Sequence, residues 1–79
     1  LAAAQAQLNQ AQAQLNQARA ELNLARKDRD RFAQLYQEGV VTQQRLDQTQ
    51  TTYDTALATL QSRQAGVKTA ERQVNAAQG

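Results

Sequence analysis

The sequence contains no cysteine, histidine, methionine, tryptophan or proline. Each absence removes a class of chemistry. Metal centres usually draw on His or Cys, so only scattered carboxylates and amides remain to hold an ion, and neither a metal nor any other cofactor is expected. Without Cys there is no disulfide framework, a condition met by intracellular and exported proteins alike. Aromatic residues make up only 4% of the chain, and much of its 41% hydrophobic content is alanine. A compact domain of 79 residues needs a denser apolar core than that. The net charge of +2 is small and mixed in sign, so no nucleic-acid partner is expected. No apolar run approaches the roughly 20 residues that span a bilayer.

What is present is a set of strong helix formers, Ala, Leu, Gln, Arg and Glu, in a repeating order. The first third reads LAAAQAQ, LNQAQAQ, LNQARAE, LNLARKD, with Leu1, Leu8, Leu15 and Leu22 seven apart and Ala4, Ala11, Ala18 and Ala25 three after each. That is the seam of a coiled coil. It continues through Arg29 and Phe32 to Tyr36, so polar character enters it toward the end of helix 1, which is expected over about 1–37. Alanine at alternate seam positions lets two backbones approach closely, which favours one antiparallel partner.

The periodicity breaks at Glu38-Gly39-Val40-Val41-Thr42. Gly39 can take the left-handed conformation that ends a helix, and the Thr42 hydroxyl can cap the next. The capping box is incomplete, because three residues after Thr42 stands Arg45 in place of Glu or Gln. A tip loop over 38–42 is short enough to make the flanking helices antiparallel neighbours.

Helix 2, expected over about 43–78, repeats the period with Leu46, Tyr53, Leu60, Val67 and Val74, followed at three residues by Thr49, Ala56, Arg63, Ala70 and Ala77. Leu57 widens the stripe, and Gly66 costs about 1 kcal/mol relative to Ala. Folding at the loop sets Leu8 near Val74, Leu15 near Val67, Leu22 near Leu60 and Tyr36 near Leu46, each pair summing to 82. The expected fold is all-α, an antiparallel two-helix coiled-coil hairpin about 55 Å long with both termini at one end. The chain begins Leu-Ala-Ala without Met and is expected to be a segment excised from a larger protein. Arg29 and Arg63, at seam positions, are expected to reach outward over their aliphatic stems.

The stretch from Arg31 to Thr42, RFAQLYQEGVVT, followed by QQRLDQ, resembles the hairpin tip of periplasmic adaptors, also called membrane fusion proteins, of tripartite efflux and type I secretion machines. That tip carries an Arg, a Leu four residues later and a Ser seven beyond; here these are Arg31, Leu35 and Thr42, with Thr in place of Ser. The resemblance implies a hairpin inserted in a lipoyl-like domain of an inner-membrane-anchored, periplasmic adaptor. It implies three kinds of partner: a TolC-like outer-membrane channel, neighbouring adaptor hairpins packed in a hexameric funnel, and an inner-membrane transporter reached through other domains. By the same resemblance Arg31 donates hydrogen bonds at the channel tips, Leu35 fills a small apolar notch, and Thr42 bonds at the junction.

Plainer roles stand beside these. Arg31 belongs to the run Arg26-Lys27-Asp28-Arg29-Asp30-Arg31, where the helix dipole favours cations. Leu35 can pack on helix 2, and Thr42 can serve only as a cap. A structural stalk or spacer with no tip partner is therefore the alternative function, and a membrane-surface helix pair is disfavoured by the narrow Leu/Ala stripe. The Gln-rich flanks suit solvent, or the flanks of neighbouring hairpins. Asp28, Asp30, Glu38, Asp47 and Asp54 are strung along the rod and do not converge, so no enzyme is expected.

Overall fold

A computed structural model describes residues 1–79. Two helices, α1 (Ala2–Gln37) and α2 (Gln43–Gln78), lie antiparallel and side by side. The rod measures 60 Å along its axis and only 13 and 12 Å across. Of 70 backbone hydrogen bonds, 64 fall within the helices, so the side-chain seam alone decides how the two pack.

The buried side chains are Leu15, Ala18, Leu22 and Ala25 on α1 and Ala70 and Val74 on α2. All of them come from the heptad series. Ala18 is 3% and Leu22 5% exposed, whereas no side chain reaches the full enclosure of a globular core. Toward the turn the seam loosens: Phe32, Leu46, Tyr53 and Leu60 are only half-buried. Hydrogen bonds one helical turn apart reinforce the outer faces, from Gln5 to Asn9, Gln17 to Glu21 and Gln50 to Asp54.

The turn ends α1 with a Schellman motif. Val40 N–H donates to the Leu35 carbonyl at 2.9 Å, and Gly39 N–H donates to the Tyr36 carbonyl at 3.0 Å. Gly39 takes φ +77°, the left-handed conformation in which a Cβ is disfavoured. At the start of α2 the Thr42 hydroxyl accepts the Arg45 N–H at 3.2 Å, which satisfies one of the first orphan donors of the helix.

Two seam expectations are corrected. Tyr36 is 41% exposed, and Leu35 beside it is half-buried. A phenol loses less by exposure than a leucine does, which fits the greater cover on Leu35. Arg29 does not reach outward: its guanidinium lies 4.2 Å over the Tyr53 ring, across the seam. Arg63 does extend to an exposed position, where it donates to Gln14 Oε1 at 3.4 Å and ties α2 back to α1.

Candidate functional site

The turn end of the rod carries the residues that the sequence singles out. Arg31 lies on the last two turns of α1, with its side chain 66% exposed, and donates to Asp28 Oδ1 at 2.9 Å. Its guanidinium carbon is 5.8 Å from the Phe32 ring centre. Leu35, one turn further on, shares the face of Arg31 because the two are spaced i, i+4. Its side chain is half-buried, and its carbonyl anchors the Schellman turn. Thr42 is exposed and holds the cap of α2. The helix end thus sets Arg31 and Leu35, and the turn brings Thr42 round to the same end of the hairpin.

Arg45 joins them from α2. Its guanidinium carbon lies 5.9 Å from the same Phe32 ring, so one half-buried aromatic has arginines from both helices beside it. Sequence reasoning assigned Arg45 nothing; its one signal was the acidic or amide residue missing from the capping box. Between Phe32 and Arg45 the helices leave a shallow groove of about 210 Å³, also lined by Asp28, Gln48 and Thr49.

Further up the rod a wider groove of about 450 Å³ runs between Glu21, Leu24 and Asp28 of α1 and Thr51, Thr55 and Thr59 of α2. Leu24 stands 62% exposed on its edge, outside the heptad seam. Neither groove is an enclosed pocket. No helix is long and apolar enough to cross a membrane.

Two long antiparallel helices joined by a short capped turn are, by architecture, a two-helix coiled-coil hairpin. The chain matches the family model described as "RND MFP, alpha-helical hairpin domain" over residues 1–78, and it belongs to that family. It is the helical hairpin of an RND-type membrane fusion protein, an adaptor module. No curated protein and no solved structure matches the chain. Membership implies an outer-membrane channel and a transporter as the kinds of partner such adaptors join.

Proposed function

We propose that the hairpin is a non-catalytic docking module whose tip engages a TolC-like outer-membrane channel in a tripartite drug-efflux or export pump. It works in the periplasm as part of an inner-membrane-anchored adaptor. Arg31 supplies charge-assisted hydrogen bonds to carbonyls or carboxylates at the channel tips, Leu35 an apolar contact, and Thr42 a hydroxyl at the junction. Neighbouring hairpins pack along their flanks into a hexameric funnel, and the transporter is met through other domains. The observation that carries this reading is the joint placement of the three residues at one end of a 60 Å rod, around a turn built by a Schellman motif and an N-cap.

The second reading, a stalk with no specific tip partner, draws on the local bonds of the same residues. Arg31 already pairs with Asp28, and Thr42 already caps α2. An exposed ion pair of this kind contributes little to stability, so Arg31 remains available to a stronger acceptor. Binding of the chain to a TolC-like channel, wild type beside Arg31→Asp, separates the two readings, with circular dichroism on both. Docking requires that the wild type bind and that the folded variant lose binding. A folded wild type that fails to bind even as a fused hexamer leaves the stalk.

A further inference from the structure

Arg45 is placed where local physics opposes it. It occupies the first turn of α2, three residues after the cap, where the helix dipole disfavours a cation. A Glu or Gln there would complete the capping box with Thr42. No carboxylate pairs with Arg45: the ion pairs of the chain are Arg29–Asp30 and Arg31–Asp28, and Arg45 has a 3.5 Å hydrogen bond to Gln48 Oε1 and the Phe32 ring beside it, with Asp28 lining the same groove. Functional positions are among the places where a sequence breaks a local rule.

Its surroundings say what that function is. Arg31 and Arg45 come from different helices, and their guanidinium carbons stand 5.8 and 5.9 Å from one Phe32 ring. Both contacts are near the outer limit for cation–π attraction, so the ring steers the guanidinium groups without holding them tightly. Both side chains are exposed. Two planar forks beside one aromatic ring suit a planar anion, which accepts paired N–H bonds once Arg31 exchanges its exposed Asp28 partner for it. A membrane surface fits less well, since it needs a wide apolar face beside the cations. Here the exposed large apolar residues near the turn are Tyr36 and Val40, two side chains and not a wide face.

We infer that Arg45, together with Arg31, forms a two-arginine clamp around Phe32 that binds a carboxylate side chain on the protein partner of the tip. The inference rests on the docking reading and extends it to a residue of α2. Arg45 is a contact residue, retained there at the expense of helix stability.

The test uses opposite movements of stability and binding. Arg45→Gln and Arg45→Glu each complete the capping box, so both variants should melt a few degrees above the wild type. Both should nevertheless bind a TolC-like channel at least about tenfold more weakly, with binding less sensitive to salt. If Arg31→Asp abolishes binding while Arg45→Gln and Arg45→Glu bind as the wild type does, docking stands and the clamp is overturned. A synthetic helical peptide bearing two glutamates one turn apart provides a second arm that needs no channel. Should the wild type bind no channel, capture of this peptide in an Arg45-dependent manner still supports the clamp, whereas no capture overturns it. Arg45-dependent binding to phosphatidylglycerol vesicles in preference to the peptide also overturns it, in favour of a lipid.

Discussion

The guanidinium of Arg29 lies 4.2 Å over the ring of Tyr53, while its Nε and Nη2 both donate to Asp30 Oδ1, at 3.1 and 2.9 Å. One side chain thus joins an ion pair on α1 to an aromatic face on α2. The hydrogen bond to Asp30, more than any other influence, raises the Arg29 pKa above its ordinary value; burial opposes the rise and Tyr53 adds to it.

A double-mutant cycle of Arg29→Ala and Tyr53→Ala should therefore show losses of stability that do not add. A base whose pKa is raised by folding contributes stability below its unfolded value and loses it only as pH climbs through the folded one. Because folding raises a pKa that is already strongly basic, the coupling should be flat across neutral and mildly alkaline pH. Additive losses in urea denaturation would show that the stack contributes nothing.

The two interior glycines should respond with opposite signs. An added Cβ at Gly39 or Gly66 meets nothing within 4 Å, so packing decides neither case. At Gly39 the φ of +77° makes Gly39→Ala destabilising by about 1 kcal/mol. Gly66 sits within the helical run of α2, where Gly66→Ala should stabilise by a similar amount, about 1 kcal/mol. Thermal melts of the two variants should bracket the wild type.

Thr42 separates capping from docking. Thr42→Ala removes the acceptor for Arg45 N–H and should cost about 1 kcal/mol, whereas Thr42→Ser keeps it. On the docking reading Ser also preserves channel binding, and Ala weakens it by more than its small unfolded fraction explains. Binding titrations well below the melting temperature measure that difference.

Leu24 is the candidate for contact between neighbouring hairpins. It is 62% exposed and lies outside the seam, so Leu24→Gln should leave hairpin stability unchanged to within about 0.5 kcal/mol. If flanks pack in a funnel, the same change should weaken association of hairpins tethered as a multimer. Sedimentation of wild type and variant tests this, and identical association constants would remove Leu24 from the interface.

Much of the fold was legible because a heptad pattern states which face is covered and a glycine states where the chain reverses. Leu15, Leu22 and Val74 are buried at positions the repeat alone picks out. Gly39 and Thr42 act at the turn through the backbone conformation and the hydroxyl their types suggest. The Arg29–Tyr53 stack was hidden for a specific reason. These residues also sum to 82, but only apolar seam residues were paired, and an arginine was assigned to solvent by type. Leu35 is covered more than the seam residue Tyr36, which a heptad count misses because it ignores which neighbour tolerates water better. Arg45 showed itself only as a missing acidic partner for a cap, and no sequence pattern states that it stands beside Phe32.

The register of the two arms about one turn makes the reach of the hairpin a quantity that changes in steps. Removing residues 12–18 together with 64–70 would excise one matched heptad from each arm and shorten the rod by about 10 Å. Every remaining side chain would keep its face. Removing a single residue from one arm would instead swing everything beyond it by about 100° and break the seam. Any gap that this hairpin bridges is therefore measured in whole heptads, and a partner set at an intermediate distance can be met only by tilting the rod.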